Sequence, residues 1–210
     1  MALVSCALVK SSPDEITNGI YTWKQGEERL RIRLQTDSAG YKIQSIGKGD
    51  QQTSAVVRQF QSLPSDIKLI RQSPDLDFVT FPVKYRPASE GVSPQLNSNI
   101  NGALYLGYRL DRFKTQTQIG YQGSPDHFGI SGGLFAGIGN TFISPTTTAG
   151  RQQLEYDGVV FIRGLAVILA VKRFTVGLAI GRDRLTDAND RNWIYRNKTW
   201  TGIAVGLNIN

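Results

Sequence analysis

The sequence lacks long hydrophobic runs and has almost no cysteine or histidine. The longest apolar stretch, GVVFIRGLAVILAV at residues 158–171, is interrupted by Arg163, whereas a membrane-spanning helix needs about 20 consecutive apolar residues. A helical membrane anchor is therefore not expected. Cys6 and His127 are single residues of their kinds, so we predict no intrachain disulfide, no metal site and no cofactor within this chain.

Charge of one sign is not concentrated anywhere in the chain. The 210 residues carry a formal net charge of +7, and this excess is spread out without a basic block. Such an excess suits attraction to an anionic surface, either lipid headgroups or nucleic acid, and is equally compatible with a basic soluble protein. No recognised nucleic-acid-binding module accompanies it, so we predict no nucleic-acid partner.

Residues 1–12 are predicted to be a lipoprotein-type N-terminus or a polar tether. LVSC at residues 3–6 is similar to the box at which bacterial lipoprotein signal peptides are cleaved, which makes Cys6 a candidate for lipidation. Such signals carry an apolar stretch of about 7–15 residues before the cleavage site, and only residues 1–5 precede Cys6. Either the natural start lies upstream, or the match is a coincidence and Cys6 is an ordinary free cysteine.

Residues 13–75 are predicted to form a small β-rich module. The runs GIYTWK, ERLRIRLQT and GYKIQSIG are each predicted to be a strand. In the second run, Leu30, Ile32 and Leu34 alternate with arginines, which is the period of a strand with one buried face. Residues 53–63 are predicted to form a short helix before Pro64.

Residues 76–210 are predicted to form a membrane β-barrel. The predicted strands are 77–86, 99–110, 112–122, 126–139, 156–171, 173–183 and 199–209. Most have ten or more residues, which exceeds the usual length of about 5–6 and suits a tilted strand that crosses a bilayer. Bacterial barrels have an even number of strands, so we expect eight, with the eighth strand in 140–148 or in the N-terminal module.

Alternation along these strands supports a membrane barrel. In the last strand, Ile203 and Val205 share one face, whereas Gly202 and Ala204 share the other. An apolar lipid-facing side and a small or polar interior produce this pattern. Aromatic residues near the strand ends are predicted to form an interfacial girdle.

The stretches NGALYLGYRLD, EYDGVVF and GLAIGRDRL, followed by NWIYRNKTWTGIAVGLNIN, carry a resemblance to a known class. Together they resemble small outer-membrane β-barrel proteins of Gram-negative bacteria, over roughly residues 77–210. The resemblance implies an antiparallel up-and-down barrel in the bacterial outer membrane. It implies no catalytic activity.

The loop RDRLTDANDRNWIYRNK at residues 182–198, with the adjoining Trp200, is predicted to be a membrane-interface or partner loop. Its candidate residues are cationic or aromatic: Arg184, Arg191, Trp193, Tyr195, Arg196, Lys198 and Trp200. As an interfacial anchor, the loop would place cations against lipid phosphates. The predicted partners are therefore outer-membrane lipid or lipopolysaccharide, with another envelope protein as the alternative.

Charged residues in or near the predicted strands are expected to form a network inside the barrel. The expected pairs are Arg109 with Asp111, Arg163 with Asp157, and Arg182 with Asp183. Arg163 should also point inward, because a lipid-facing arginine costs about 2–4 kcal/mol at the bilayer midplane. By parity, however, it shares a face with apolar neighbours. We therefore expect a β-bulge near Gly164 that turns it inward.

The function predicted from the sequence is a structural, anchoring or envelope-complex accessory role without catalysis. His127, Ser131 and Glu155 suggest a lipid-modifying barrel enzyme, but His127 and Ser131 would lie roughly 13 Å apart along a strand, beyond the direct contact that such catalysis needs. We predict no catalytic residue. The alternatives are a soluble ligand-binding β-barrel, whose apolar face would line a closed pocket, the lipid-modifying enzyme and a small pore.

Overall fold

The computed structural model describes residues 16–38, 40–46, 57–60, 63–64, 67–115, 117–118, 121–122, 126–171 and 174–207. Its regular elements are β-strands and two short 3-10 helices, Thr146–Thr148 and Ala188–Asn192. No helix within these residues is long and apolar enough to cross a membrane. Cys6, the candidate for lipidation, lies outside the described residues.

Thirteen strands are numbered here in chain order. The first six are β1 (Gly19–Gln25), β2 (Glu28–Asp37), β3 (Gly40–Ser45), β4 (Val57–Phe60), β5 (Lys68–Arg86) and β6 (Gln95–Asn97). The others are β7 (Asn101–Lys114), β8 (Thr117–Gln118), β9 (Tyr121–Gln122), β10 (Asp126–Ile143), β11 (Tyr156–Val171), β12 (Phe174–Leu185) and β13 (Thr199–Leu207). Because β4 occupies part of 53–63, the prediction of a helix in that segment is wrong.

Eleven strands form one sheet, in the order β13-β12-β11-β10-β7-β5-β1-β2-β3-β4, with β6 paired to β5. The pairings are antiparallel, so the predicted all-β, antiparallel, up-and-down class is confirmed. In addition, β13 pairs with β5, for example Ile203 opposite Val83. The strands β5, β7, β10, β11, β12 and β13 therefore form a closed ring of hydrogen-bonded neighbours, which we call the ring.

The chain divides into two compact units. The first comprises Met1–Arg71, Arg112–His127 and Asn210. Its core is a cluster of aliphatic and aromatic side chains that includes Tyr21, Leu34, Ile67 and Phe113. As the alternation predicts, Ile32 and Leu34 of β2 are buried, whereas Arg31 and Arg33 are exposed to solvent.

The second unit comprises Gln72–Asp111 and Phe128–Ile209 and contains the ring. Its core is built from side chains on the buried face of the ring strands, among them Phe81, Tyr105, Phe135 and Trp200. The aromatic ring of Phe81 packs against those of Phe135 and Trp200, with centroid distances of 4.4 and 5.6 Å. Aromatic side chains thus fill the interior of the ring beside the polar groups described below.

The expected count of eight strands is wrong for the ring, which has six. Asp111 was expected to be a turn between two strands, but it lies inside the continuous strand β7. The segment 140–148, considered as a source of the eighth strand, instead ends β10 at Ile143 and continues as a 3-10 helix. Alternation is a local signal and continues through Asp111, so the sequence alone did not show that β7 is one strand.

Merging those two strands leaves three long connections and one short connection within the second unit. Residues 87–100, 144–155 and 186–198 connect β5 to β7, β10 to β11, and β12 to β13. Since neighbouring strands are antiparallel, these three long connections lie at one end of the ring, which we call the loop end. At the opposite end, only residues 172–173 separate β11 from β12. Residues 115–125, between β7 and β10, form a further long connection, so the lengths of successive connections between the ring strands do not alternate.

Candidate functional site

The exposed face of the ring is almost continuously apolar. Large hydrophobic side chains on this face are at least one third exposed, and they occur on all six strands. They are Leu76, Phe78, Tyr85, Leu104, Leu106, Tyr108, Leu110, Phe128, Ile130, Leu134, Ile138, Phe142, Val159, Phe161, Leu165, Val167, Leu169, Val176, Leu178, Ile180, Ile203 and Val205. Monomers in water rarely expose contiguous apolar patches larger than a few hundred Å². An apolar surface of this extent is therefore unusual for a monomer in water.

The apolar face is long enough to span a bilayer on β10. From Phe128 to Ile138, every second residue is exposed and uncharged. Ten residues of strand rise about 33 Å, and a tilt of 35–45° reduces this to about 25 Å along the ring axis. This is the height of the apolar band of outer-membrane barrels.

Glycines on the other face of β10 allow β7 to approach closely. A Cβ atom at Gly137 would overlap the carbonyl oxygen of Gly102 and the Cα of Ala103. One at Gly133 would overlap the backbone of Leu106 and Gly107. Gly132, on the exposed face, has no atom within 4 Å of the same position. The small residues predicted to face inward are therefore needed for strand packing.

A buried charge network lies near the loop end of the ring. Oδ2 of Asp183 lies 3.1 Å from Nζ of Lys84 and 2.5 Å from a guanidinium nitrogen of Arg86. The indole nitrogen of Trp200 donates a 2.6 Å hydrogen bond to Oδ1 of the same carboxylate. Arg86 also donates to the hydroxyl of Thr141, so the network links β5, β10, β12 and β13.

A second buried network lies further from the loop end. The guanidinium of Arg109 lies 3.3 Å from a carboxylate oxygen of Asp75 and 3.5 Å from one of Asp77. These three side chains are at most 5% exposed. The interior of the ring thus holds buried ion pairs as well as the hydrophobic cluster that includes Phe81 and Trp200.

The predicted interior charges are partly correct, but their partners differ. Arg109 and Asp183 are buried as expected. Arg109 forms an ion pair with acidic residues of β5, which were not among its predicted partners. Arg182 lies on the exposed face of β12, whereas Asp183 lies on the buried face. Consecutive residues of a strand point to opposite faces, so Arg182 cannot pair with Asp183 across the ring interior.

The aromatic residues of the predicted interface loop are buried, so the expectation that they face a membrane interface is wrong. Trp193, Tyr195 and Trp200 are 2%, 2% and 1% exposed. The guanidinium carbon of Arg86 lies 5.1 Å from the ring centroids of both Trp193 and Tyr195. These aromatic faces stabilise a buried cation, which removes them from the surface. Burial raises the pKa of Tyr195, and nearby Arg86 opposes that shift.

The cations of the same loop remain at the surface. Arg184 and Arg196 both contact a carboxylate oxygen of Asp190, at 3.4 and 2.7 Å. Arg191 and Lys198 are exposed. The loop therefore contains two groups of residues. Its aromatic side chains are buried and cover Arg86, whereas its cationic side chains are exposed. Only the cationic group is placed to meet an anionic surface.

Arg163 points outward, and the bulge expected near Gly164 is absent. The pairing of β10 with β11 is regular from Phe128 opposite Val171 to Ile143 opposite Tyr156. Arg163 is exposed, as parity with Phe161 and Leu165 requires. On the neighbouring strand, Arg182 lies directly opposite it and is exposed as well.

Two shallow grooves lie on the ring surface. One has a volume of about 900 Å³, and its lining includes Leu104, Leu134, Leu165 and Ile180, with Arg163, Arg182 and Thr199 also contributing. The other, of about 860 Å³, is lined almost entirely by apolar and glycine residues of β5, β10, β11, β12 and β13. Within the described residues, no group of three or more His, Cys, Asp or Glu side chains could hold a metal ion.

The residues considered for esterase chemistry have other partners. The hydroxyls of Ser131 and Tyr105 are 2.8 Å apart and share a hydrogen bond. The His127 imidazole stacks on Phe113, with ring centroids 4.6 Å apart. His127 is the second residue of β10.

Sequence reasoning missed Lys84, Arg86, Asp75 and Asp77 as members of the interior networks. Part of a signal was present, because Asp75 and Asp77 alternate with exposed Leu76 and Phe78. Lys84 and Arg86 flank exposed Tyr85, and the change of parity between the two groups coincides with a register shift in the pairing of β5 with β13. Comparison of this chain with protein-family models, curated proteins and solved structures finds no match.

Proposed function

We propose that this chain is a small outer-membrane β-barrel protein with a structural, anchoring or envelope-complex accessory role. The observation that carries the proposal is the apolar exposed face of the ring, which surrounds an interior with buried ion pairs. In a bilayer, this face contacts acyl chains, and the closed strand pairing leaves no edge with unsatisfied backbone groups. The bacterial outer membrane as the location rests on the sequence resemblance.

The contents of the ring favour this role over the alternatives. A soluble ligand-binding barrel needs an apolar cavity inside, whereas Phe81, Phe135 and Trp200 pack against one another there. A pore needs an open lumen, whereas Trp193 and Tyr195 cover Arg86 at the loop end. Six strands are fewer than the eight or more usual for bacterial barrels. A ring this narrow leaves room for side chains and little else.

The proposal is tested by fractionation and by electrophoresis of unboiled samples. We expect the full chain to remain in the membrane pellet after alkaline carbonate washing and to enter detergent. Unboiled, it should migrate faster than the boiled sample, because a closed ring of hydrogen-bonded strands resists detergent. Recovery in the soluble fraction without a shift in migration would contradict the proposal.

A further inference from the structure

Two arginines face each other on the apolar surface of the ring. Arg163 of β11 and Arg182 of β12 occupy directly opposite positions in a regular antiparallel pairing, and both are exposed. Like charges directly opposite each other on one face of a sheet are destabilising. Their placement among leucine, isoleucine and phenylalanine side chains adds a desolvation cost in a bilayer. A bound anion would therefore stabilise the pair by offsetting its positive charge.

The chain does not supply that anion among the residues the structure describes. No ion pair joins Arg163 or Arg182 to a carboxylate there. Asp183, next in sequence, lies on the buried face with Lys84. Of the acids in the loop, Asp190 already contacts Arg184 and Arg196, and Asp187 accepts a hydrogen bond from the Tyr156 hydroxyl. Asp157 is six residues from Arg163 on the same strand, about 20 Å away.

The pair lies close to the loop-end edge of the apolar band defined on β10, because Arg163 is opposite Ala136, two residues before that band ends at Ile138. On β11, exposed Phe161 and Val159 continue the apolar face beyond Arg163. Arg182 pairs with Thr199, the first residue of β13, and is three residues from the end of β12, or about 10 Å. On the side away from the loop end, the exposed residues of the two strands are Leu165, Val167, Ile180 and Leu178. An arginine near the interface costs only about 0–1 kcal/mol, compared with about 2–4 kcal/mol at the midplane.

We propose that Arg163 and Arg182 bind the phosphate of an anionic lipid, whose acyl chains lie in the adjoining groove of about 900 Å³. The inference rests on the proposed membrane location and adds a lipid class and a site to it. Guanidinium groups bind phosphate through paired, charge-assisted hydrogen bonds. The groove side chains Leu134, Leu165 and Ile180 provide the apolar contact for the chains. A phosphate between the arginines would offset their mutual repulsion.

The test measures lipid binding to the folded, full-length protein in nonionic detergent by native mass spectrometry. The probes are phosphatidylglycerol, which is anionic, and phosphatidylcholine, which carries phosphate but no net charge. The test variant is Arg163→Gln with Arg182→Gln. A matched control, Arg31→Gln with Arg33→Gln, removes two exposed arginines from neighbouring alternate positions of β2. A conservative variant, Arg163→Lys with Arg182→Lys, keeps both charges.

We expect wild-type protein to prefer phosphatidylglycerol and the double glutamine variant to bind it about tenfold more weakly, since each cation near an anionic lipid surface contributes to binding. The control should bind phosphatidylglycerol as strongly as wild type does. The lysine variant should bind it more weakly than wild type and more strongly than the double glutamine variant. Inorganic phosphate in large excess should not displace the lipid, because the groove holds its chains. Displacement by phosphate would show that the pair binds free anions and would overturn the lipid assignment.

Two further results would overturn the inference. One is unchanged phosphatidylglycerol binding by a double glutamine variant that still shows the fast-migrating unboiled band. The other is an equal loss in the β2 control, which would indicate non-specific attraction. Failure of the proposed function would appear earlier, as wild-type protein that stays in the soluble fraction without a band shift.

Discussion

Lys84 and Asp183 form a buried ion pair in which Nζ lies 3.1 Å from Oδ2, and the two side chains are only 2% and 1% exposed. The same carboxylate accepts hydrogen bonds from Arg86 and Trp200. One acidic side chain thus neutralises two cations and holds an indole inside the ring. Removing it would leave both cations buried without a compensating charge.

Asp183→Asn should therefore destabilise the protein by about 3–5 kcal/mol, the usual effect of removing one partner from a buried ion pair. The measurement is the urea concentration at which half of the protein in detergent is unfolded, and the readout is the loss of the fast-migrating band. Asp157→Asn, at an exposed position of β11, is the matched control and should leave the midpoint unchanged. Equal midpoints for the two variants would contradict the assigned role of Asp183.

Trp200→Phe should cost more stability than Trp193→Phe. Both indoles are almost fully buried and lie near a cation. The Trp200 nitrogen donates to Asp183, whereas that of Trp193 has no hydrogen-bond partner within the described part of the chain. A hydrogen bond to a charged group contributes about 1.5–3 kcal/mol. The difference between the two urea unfolding free energies should fall in this range, and a larger loss for Trp193→Phe would contradict the structure.

Gly137→Ala and Gly132→Ala should differ sharply although both lie on β10. A Cβ at Gly137 meets the backbone of Gly102 and Ala103, which cannot move without displacing β7, so we expect a loss of about 1–3 kcal/mol. Gly132 has open space around the added methyl group and should tolerate it. Urea unfolding compares the two variants. Similar stabilities would show that β7 and β10 do not approach as described.

Leu178→Lys tests whether the exposed face contacts lipid. Leu178 is 73% exposed on β12, and Leu154, in the connection 144–155, is 75% exposed. A lysine at the lipid-facing position should cost up to about 2–4 kcal/mol, depending on its depth in the bilayer. Leu154→Lys should be nearly neutral, because that loop contacts water. Folding of both variants into phospholipid vesicles, measured by urea titration, compares them.

The outcome that would contradict this prediction is equal stability of the two lysine variants in vesicles. The leucines are almost equally exposed and the substitution is the same. A difference between the variants would therefore arise from what surrounds each position. In a water-exposed ring, neither substitution would have a large effect.

Several features of this protein could be predicted from local sequence patterns. The alternation in 126–139 and 199–209 identified the exposed positions of β10 and β13, including Leu134 and Ile203, and the small positions of the other face, including Gly133 and Ala204. Side chains of a strand alternate between its faces because of backbone geometry alone. This periodicity needs no knowledge of the partner strand.

The roles of the loop aromatics could not be predicted in the same way. Trp193 and Tyr195 were predicted to lie at an interface from their residue types and their place near a strand end. The structure buries both against Arg86, which is about a hundred residues earlier in the chain. Composition does not distinguish an aromatic side chain that anchors a loop in a membrane from one that folds inward to cover a buried cation.

Sequence by itself therefore determined most of the long strands of the second unit and the exposed and buried faces of β10 and β13, because these depend on residues close together in the chain. Only tertiary structure decided that β13 pairs with β5, that Asp183 pairs with Lys84, and that Arg163 lies opposite Arg182. These relationships depend on ring closure and strand register. Both are set by the simultaneous packing of distant segments, and a change of one residue in register would place different side chains opposite each other.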